Sequence, residues 1–409
     1  METNNQKNDQ NIIPNDADKQ QKGVNVPNLR FSEFDVCWTT YKLEACAKIY
    51  DGTHQTPKYT KSGIRFISVE NISNLYDSQK FISLEDFKKE FKIHPQINDI
   101  LMTRIGDIGT PAVVSKEDPL AYYVSLALIR PLKNLYYLYI YDYIQTPYFK
   151  KELWHRTLHI AFPQKINKEE IGKCKISIPC EKEQFKIGNF LLLIDQRIDT
   201  QNKIIEDLEL FKKGIENQYF SYHKNNEYVI LGDIITQVNN RNEQNKDFEV
   251  LSVSNKYGFI PQSEQFDDHE VASANKSNYK IVKQNDFAYN PARINVGSIA
   301  MLRNNQVGIV SPMYICFRAD NNRILSSYLD YFSHSNKFNN EVLKNLEGSV
   351  RLCLSFESLS KIKIHLPSLD TQYKIVKNLD LISSKISIEN KILEKLKEQK
   401  KYLLSNMFI

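Results

Sequence analysis

Several motifs that enzymes use to hold cofactors are absent from this sequence. Its 409 residues contain no G-x-x-x-x-G-K-[ST] phosphate loop, no other glycine-rich cofactor loop and no Asn/Asp-Pro-Pro-aromatic tetrad. The nearest approach to that tetrad, Tyr289-Asn290-Pro291-Ala292-Arg293, lacks the second proline and the aromatic residue. We therefore expect no catalytic residues and no cofactor in this chain.

Paired metal-binding or disulfide-forming cysteines are also missing. None of the six cysteines forms a C-x-x-C pair, which argues against zinc or a disulfide framework and favours a reducing compartment. His155 and His159 are spaced to share one helix face, but no Glu partner or third ligand is close to them in sequence. We therefore expect no metal site.

Long apolar runs are lacking too. The most apolar stretches, such as Phe190–Ile194 and Leu135–Ile144, are shorter than the roughly 20 residues that a membrane span requires or are broken by polar groups. Residues 1–22 are polar and contain no apolar segment that could act as a signal sequence, so we interpret them as a disordered leader. The expected location is the cytoplasm, with no membrane partner.

The charge balance is only mildly basic. A formal net charge of +5 permits a nucleic-acid partner without requiring one. A chain of 409 residues is long enough for two heads of about 150 residues each, because single domains cluster near that size.

The chain contains an internal repeat. Lys175-Ile176-Ser177-Ile178-Pro179 and the helical stretch that ends at Phe220 return as Lys363-Ile364-His365-Leu366-Pro367 and a stretch that ends at Phe408. The offset is 188 residues at both ends, since 367 − 179 and 408 − 220 agree. The repeat predicts two copies of one unit, each a globular head followed by a long helix.

Both predicted helices carry an a/d heptad seam, in which apolar positions alternate in steps of four and three. The seam residues are Ile187, Leu191, Ile194, Ile198, Gln201, Ile205 and Leu208 in the first helix, and Ile375, Leu379, Ile382, Ile386, Glu389, Leu393 and Leu396 in the second. The alternative is an ordinary amphipathic helix that lies on its own head.

The connectivity predicts that the helices pair antiparallel. The second head begins only a few residues after the first helix ends, so it must start at the far end of that helix, and the second helix then runs back. Each helix of about 40 residues would be roughly 60 Å long. The polar seam residues Gln201 and Glu389 would then lie near one central layer, either buried to fix the register or solvated.

The predicted fold class is α+β, with two similar domains separated by two long antiparallel coiled-coil helices. The expected segments are a leader at 1–22, a first head at 23–179, a first helix at 180–222, a second head at 223–368 and a second helix at 369–409. Apolar runs of strand length lie at similar places in the two heads, at Ile64–Val69 and Phe248–Val253. Asn98–Arg104 and Asn285–Asn290 also correspond, and each leads through a Gly-containing turn to a strand, expected at Ala112–Val114 and Ser298–Leu302. Aromatic-rich helices are expected at Tyr136–Leu158 and Ser326–Leu346.

Specific segments resemble the specificity subunit of type I restriction-modification enzymes. They are Val26-Pro27-Asn28-Leu29-Arg30-Phe31 with Trp38, the loop Asp51–Pro57, the segment Phe66–Ile72, Gly348-Ser349-Val350-Arg351 leading to Leu354–Leu359, and the Ile-x-x-Pro-x(4)-Gln element that opens both helices. The resemblance covers nearly everything after residue 23.

The resemblance implies two target recognition domains, each reading one half of a bipartite, asymmetric site in double-stranded DNA. It further implies that the helices set the length of the unread spacer and dock two modification subunits, which restriction subunits join. S-adenosylmethionine, ATP and magnesium are then expected in those partner subunits. The rival interpretation is a stand-alone coiled-coil scaffold or regulatory protein whose heads bind protein.

Candidate DNA contacts are polar and cationic residues in turn-rich loops, because base edges are read by hydrogen-bonding side chains and phosphates by cations. In the first head they are Thr53, His54, Gln55, Thr56, Lys58, Tyr59, Arg104, Asp107 and Lys165; in the second they are Asn239, Asn240, Arg241, Asn290, Arg293, Asn295 and Arg351. The alternative is that these are solvated loop residues or local turn formers. Asp51 and Asn71 are assigned to turns.

Overall fold

The computed structural model describes residues 26–221, 228–265, 275–348 and 352–409. The predicted leader at 1–22 and the predicted DNA contact Arg351 lie outside the described residues. The chain divides into two compact units. Unit 1 holds the residues up to Gln201 together with Ile392–Ile409, and unit 2 holds Asn202–Lys391.

The described part of unit 1 contains three sheets. Its strands are Thr39–Lys42, Ala47–Asp51, Ile64–Ile67, Phe81–Ile82, Ile100–Ile105, Asp107–Val113, Leu120–Tyr122, Leu126–Pro131 and Lys175–Ile178. Its short helices are Leu43–Cys46, Val69–Asn71 (3₁₀), Leu84–Glu90, Tyr137–Gln145, Pro147–Arg156 and Lys168–Gly172. The largest sheet is antiparallel and has the order Ala47–Asp51, Leu126–Pro131, Ile100–Ile105, Asp107–Val113.

Unit 2 repeats the large sheet of unit 1. Its strands are Tyr228–Ile230, Ile235–Val238, Glu249–Ser254, Gly258–Pro261, Lys280–Val282, Asp286–Tyr289, Ile299–Met301, Gly308–Val310, Ile315–Ala319 and Lys363–His365. Its short helices are Leu231–Asp233 (3₁₀), Gln262–Gln265, Ile294–Val296 (3₁₀), Ser326–Ser333, Asn336–Asn345 and Phe356–Ser360. The antiparallel sheet Ile235–Val238, Ile315–Ala319, Asp286–Tyr289, Ile299–Met301 has the same strand order as its counterpart in unit 1.

The aromatic-rich helices differ from the sequence-based expectation, because each predicted helix is two helices. In unit 1 the break is at Thr146, whose hydroxyl accepts a hydrogen bond from Phe149 N–H at 3.2 Å and so begins a new helix with Pro147 at its first position. In unit 2 the hydroxyl of Ser335 accepts from Phe338 N–H at 3.2 Å. In both units a capping residue inside the apolar pattern begins a second helix, although the periodicity predicted a single helix.

The two long helices run through Glu181–Phe220 and Leu369–Asn406. In unit 1 the start of the first helix meets the end of the second, since Ile187 and Leu191 share a core with Leu403 and Leu404, and Lys400 pairs with Asp195 at 2.6 Å. This contact confirms the predicted antiparallel pairing. In unit 2 the end of the first helix meets the start of the second: Phe220 and Leu379 belong to one core.

The predicted seam residues lie on the covered faces of these helices. All fourteen are buried or half-buried, whereas apolar residues off the seam, such as Leu193 and Leu381, are more than half exposed. Gln201 and Glu389 are buried although they are polar, and Glu389 forms an ion pair with Lys385. Their placement in a common layer stays a prediction.

A buried glutamine fastens each long helix to its own head. The side chain of Gln184 accepts from Tyr136 N–H at 2.9 Å and donates to Pro179 O at 3.1 Å and Asn134 O at 3.3 Å. In unit 2, Gln372 accepts from Leu325 N–H and donates to Pro367 O and Arg323 O. The proline and glutamine of the repeated element therefore act together, because the amide closes the junction that the proline begins.

An ion pair is repeated at the same place in both large sheets. Asp99 is bound by Arg130 at 2.7 Å, and Asp286 is bound by Arg318 at 2.6 Å. The strand of each aspartate follows an asparagine with φ of 68°, in the left-handed region that asparagine tolerates better than most residues. The framework of the heads is thus duplicated down to single side chains.

Candidate nucleic-acid interface

Arg104 has a structural role in unit 1. Only 5% of Arg104 is exposed, its Nη1 is paired with the carboxylate of Asp51, and its Nε donates to Ile166 O at 3.0 Å. Burial lowers the pKa of the guanidinium from its ordinary value. Because the side chain is buried and its Nε and Nη1 are engaged inside the head, the geometry does not support the predicted DNA contact at Arg104. Asp51, predicted in a turn, ends a strand and supplies the counter-ion.

The Asp51–Arg104–Ile166 contact joins the bases of three exposed segments. These are the His54 loop (Thr53–Tyr59), the Gly106 turn (Gly106–Gly109) and the Phe162 loop (Leu158–Lys165). The last two also meet directly, because Gly106 N–H donates to Gln164 O at 2.8 Å and Ile105 forms a β-bridge with Lys165. The arrangement gathers most of the unit 1 candidates into one area.

The His54 loop has a fixed base and an open outer face. Thr53 N–H donates to Tyr122 O at 3.1 Å, and a Cβ at Gly52 would lie only 2.5 Å from the same oxygen, so the turn requires glycine. Beyond Thr53, which is partly covered, His54, Gln55, Thr56, Lys58 and Tyr59 are all exposed. The loop therefore presents donors, acceptors, one cation and one aromatic ring to solvent.

Asp107 and Lys165 are exposed beside the Gly106 turn. The carboxylate of Asp107 accepts from the hydroxyl of Thr103 at 3.4 Å, and the backbone of Lys165 bridges both Ile105 and Leu158. A carboxylate can accept from the amino group of cytosine and an ammonium can bind phosphate. Both residues therefore remain candidate contacts.

Unit 2 builds the equivalent junction without an arginine. The hydroxyl of buried Tyr289 donates to Leu354 O at 3.1 Å, and Leu354 N–H donates to Pro291 O at 3.1 Å. Leu354 is the repeat partner of Ile166 at the offset of 188 residues. Burial raises the pKa of Tyr289, so the phenol stays a neutral donor.

The predicted contacts of unit 2 divide into exposed residues and one turn former. Asn239, Asn240, Arg241, Arg293 and Asn295 are exposed. Asn290 is 8% exposed, and its side chain accepts from Ala292 N–H at 3.1 Å. It therefore fits the alternative interpretation, a residue that forms a local turn.

A polar cavity of about 230 Å³ opens beside Arg293. Its lining includes Ser254, Asn255, Gln262 and Tyr314. Hydroxyl and amide groups of this kind match the donors and acceptors of base edges. The sequence reasoning missed this cavity, because its lining residues lie on separate strands and loops that only the fold brings together.

The predicted histidine pair and the Asn71 turn can now be compared with the structure. His159 lies beyond the helix Pro147–Arg156, with its Nε2 2.8 Å from Trp154 O, so it does not share a helix face with His155. Within the described ranges, no cluster of His, Cys, Asp and Glu suited to a metal ion was found. Asn71 ends a short 3₁₀-helix and accepts from Ser68 N–H at 3.1 Å. No helix in the described part of the chain has both the length and the apolarity of a membrane span.

The sequence reasoning also missed an apolar feature, the tip of the Phe162 loop. Phe162 and Ile160 are fully exposed, with relative exposures of 104% and 99%. The available signal was their position in a short segment without helical or strand periodicity that ends in proline. Such a segment predicts a loop, and apolar residues in a loop have no regular core face to occupy.

Comparison with known proteins gives a consistent family. The family described as type I restriction modification DNA specificity domain matches the chain twice, at residues 36–210 and 223–398. A protein of Methanocaldococcus jannaschii named as a type I restriction enzyme MjaX specificity subunit is 26% identical, over 94% of this chain and 96% of its own length.

Solved structures agree on the fold. The crystal structure of a type I restriction-modification system S subunit from M. genitalium superposes with a TM-score of 0.57 at 16% identity, over 94% of this chain and 99% of that one. A chain from a structural study of complex assembly and conformational transition of the type I R-M system gives 0.57 at 12% identity, over 90% and 96%. With two copies of the specificity domain spanning most of its length, this chain belongs to the type I restriction-modification specificity subunits, whose role is the recognition of DNA sequence.

Proposed function

We propose that each unit reads one half of a bipartite, asymmetric DNA sequence and that the two long helices determine the unread spacer. The observation that carries the proposal is the contrast between framework and loops. The two units share a sheet order, an Asp–Arg pair and a glutamine junction, while most of their exposed loop residues differ. One scaffold with two different sets of exposed side chains suits two different half-sites.

The candidate base and phosphate contacts are the exposed members of the predicted set. In unit 1 they are His54, Gln55, Thr56, Lys58, Tyr59, Asp107 and Lys165, with Thr53 at the base of the loop; in unit 2 they are Asn239, Asn240, Arg241, Arg293 and Asn295. Arg351 is retained from the sequence alone. Arg104 is removed, because its side chain is buried and hydrogen-bonded within unit 1. Asn290 is mostly buried but lines the cavity beside Arg293, so its contact with DNA stays a prediction.

The chain acts as the non-catalytic member of a larger assembly in this proposal. Two modification subunits bind along the helices, restriction subunits join them, and S-adenosylmethionine, ATP and magnesium are held by those partners. The exposed apolar residues off the seam, such as Leu193, Leu210 and Leu381, suit a protein partner that covers the outer faces of the helices. The assembly works in the cytoplasm.

Reconstitution tests the proposal. The purified chain alone should neither methylate nor cleave DNA, whereas the chain with its modification subunit and S-adenosylmethionine should methylate one bipartite sequence. Binding to that sequence should weaken steeply as salt rises, because phosphate contacts release counter-ions. Methyl transfer by the isolated chain would refute the assigned division of labour, and a reconstituted complex with no sequence preference would favour a scaffold whose heads bind protein.

A further inference from the structure

The tip of the Phe162 loop exposes apolar side chains that the fold of unit 1 does not use. Phe162 and Ile160 are fully exposed, and Trp154 and Leu158 nearby in the chain are 62% and 42% exposed. Single exposed apolar residues are ordinary on protein surfaces. A fully exposed Phe and Ile two residues apart at a loop tip are less so, because neither gains any burial within its own domain.

The loop is held at its base. Leu158 N–H donates to Lys165 O at 2.8 Å, and the two residues form a β-bridge. Ile166, directly after the loop, donates its N–H to Arg104 O at 3.0 Å and accepts from Arg104 Nε. Arg104 is in turn paired with Asp51 at the base of the His54 loop. The tip is therefore presented by the same junction that positions the candidate DNA contacts of unit 1.

The surroundings of the tip favour nucleic acid over protein as its occupant. Lys165 and His159 are exposed on the same loop, Lys168 follows it at half exposure, and Asp107 is the exposed carboxylate of the adjoining turn. A stable protein interface buries at least about 1,000 Å², mostly against a continuous surface. Phe162 and Ile160 instead project from the end of a narrow loop that also carries Lys165 and His159. Apolar wedges of this size are what DNA-binding proteins insert between base steps.

The two units differ here. At the offset of 188 residues, Phe162 corresponds to Val350 and Ile160 to Gly348. The second loop therefore carries no aromatic residue at this place in its sequence, and residues 349–351 lie outside those that the structure describes. An aromatic wedge would belong to one half-site only.

We propose that Phe162, supported by Ile160, inserts between two base pairs of the half-site bound by unit 1 and unstacks that step. The inference rests on the proposed function, since it assumes that unit 1 binds DNA. Stacking of the ring on an exposed base and the extra contacts that a bent duplex allows would offset the loss of base stacking. Flexible pyrimidine–purine steps are the preferred position, because they unstack most readily.

The test uses the full chain with its modification subunit and duplexes that carry its mapped methylation site. The fluorescent base 2-aminopurine is placed at successive positions of both half-sites, because its emission rises when it is unstacked. We expect a rise at one step of the unit 1 half-site with the wild type. Phe162→Ala should abolish that rise and weaken binding on the order of tenfold, with the salt dependence unchanged because no charge is removed.

Three control variants separate the possible roles of the loop. Phe162→Leu keeps an apolar wedge and should retain part of the rise. Lys165→Ala should lower the salt slope by about one, as expected for a phosphate contact. Leu84→Ala removes an apolar side chain that is 54% exposed on the helix Leu84–Glu90 and should leave binding as in the wild type.

The outcomes distinguish this inference from the proposed function. If the wild-type complex does not bind the site in preference to other DNA, the proposed function fails. If the wild type binds but shows no unstacked step, or if Phe162→Ala changes neither fluorescence nor affinity, the wedge is refuted while DNA recognition stands. If Phe162→Ala instead releases the modification subunit, the loop is a protein contact and the wedge is likewise refuted. An unchanged unfolding midpoint for Phe162→Ala confirms that the fully exposed ring does not act through folding.

Discussion

Units 1 and 2 share a framework but use different side chains at one junction within it. Each joins the end of a central strand to the segment that leads into the last short helix of its head. Unit 1 makes the joint with the buried guanidinium of Arg104 and the carboxylate of Asp51, and unit 2 makes it with the neutral phenol of Tyr289. A shared backbone geometry therefore does not require shared chemistry, provided that the same carbonyl oxygen receives a donor.

The difference bears on how duplicated domains diverge. Residues that fasten a head to its helix are the same in both units, as with Gln184 and Gln372. Residues at the junction beneath the loops have been replaced, and the loops themselves share few side chains. The two units are therefore most alike at the helix junction and least alike at the exposed loop tips. A change of DNA target would require substitutions at those tips.

The largest effect is expected from lengthening both helices, which tests whether the heads read the half-sites while the helices set the distance between them. Four helix-forming residues inserted at the middle of each helix, near Gln201 and Glu389, add about 6 Å. That length corresponds to between one and two base pairs at about 3.4 Å each. The added turn of about 40° can be absorbed as a stutter. Sequencing the methylated sites should show unchanged half-sites with a longer spacer and no methylation of the original sites.

The control for the helix experiment places the four residues in one helix only. The seam then falls out of register, so activity should drop without a new spacer appearing. An unchanged spacer with full activity in the doubly lengthened variant would mean that the helices do not measure the distance between the heads.

Removing the two junction donors sharpens the comparison between the units. Arg104→Ala removes the donor to the Ile166 carbonyl and leaves the Asp51 carboxylate with only the more distant Lys168 at 4.0 Å, and should destabilise unit 1 by roughly 3 kcal/mol. Tyr289→Phe removes one neutral hydrogen bond and should cost unit 2 about 1 kcal/mol. Chemical denaturation of both variants measures the difference. Equal losses would contradict the structural role given to Arg104.

Substituting exposed contacts asks whether the units read DNA independently. Arg293→Ala should weaken discrimination in one half-site by about 1 to 3 kcal/mol if the guanidinium binds a guanine. Lys58→Ala, in the other unit, should leave that half-site untouched. Methylation maps of the two variants decide the matter. Loss spread evenly over both half-sites would assign Arg293 to phosphate binding or to folding.

The smallest effects are expected from substituting an aspartate that both units carry at the same repeat position. Here the change in stability should have opposite signs in the two units. Asp142 and Asp330 correspond at the offset of 188 residues. Burial raises the pKa of Asp142 well above its ordinary value, although Lys400 opposes the shift, and among the described atoms its Oδ1 has no hydrogen-bond partner. Asp330 instead binds Arg303 at 2.5 Å.

Proton binding by Asp142 determines whether its substitution stabilises or destabilises the fold. A carboxyl whose pKa is raised on folding contributes stability below its unfolded pKa, and this contribution is lost as pH rises through the folded value. Asp142→Asn should therefore raise the free energy of unfolding at neutral pH and lose that advantage below about pH 4. Asp330→Asn should lower it by at most about 1 kcal/mol, because Arg303 is more than half exposed. Thermal melts across this pH range give both signs, and a loss for Asp142→Asn at neutral pH would contradict the argument.

The repeated features of the fold could be predicted from the sequence. Periodicity and the constant offset were enough for two heads, for the long helices and for the antiparallel direction that contacts in each unit confirm. Fourteen seam positions followed from a single spacing rule, because a coiled coil exposes or covers residues according to their position along one axis. The fold class followed from this periodicity, from the internal repeat and from the order of the segments along the chain.

Individual site residues were harder to predict, because burial depends on the tertiary structure. Arg104 and Asn290 occupy turn-rich segments just as Lys58 and Arg293 do, yet the first two are buried and the others are exposed. Nothing in the local sequence marks Asp51 as a counter-ion, since it is 53 residues away from Arg104. Helix breaks at Thr146 and Ser335 were missed for a different reason, namely that an apolar stripe continues across the capping residue.

The buried glutamines also fix an angle. The amide of Gln184 accepts one hydrogen bond and donates two, and these bonds hold the start of the helix at one rotational position relative to its head. One residue inserted after Gln184 would rotate everything beyond it by about 100°, whereas the head and the first turn of the helix would stay as they are. The number of residues from Gln184 or Gln372 along each helix therefore sets the rotational direction in which the rest of that helix faces relative to its head.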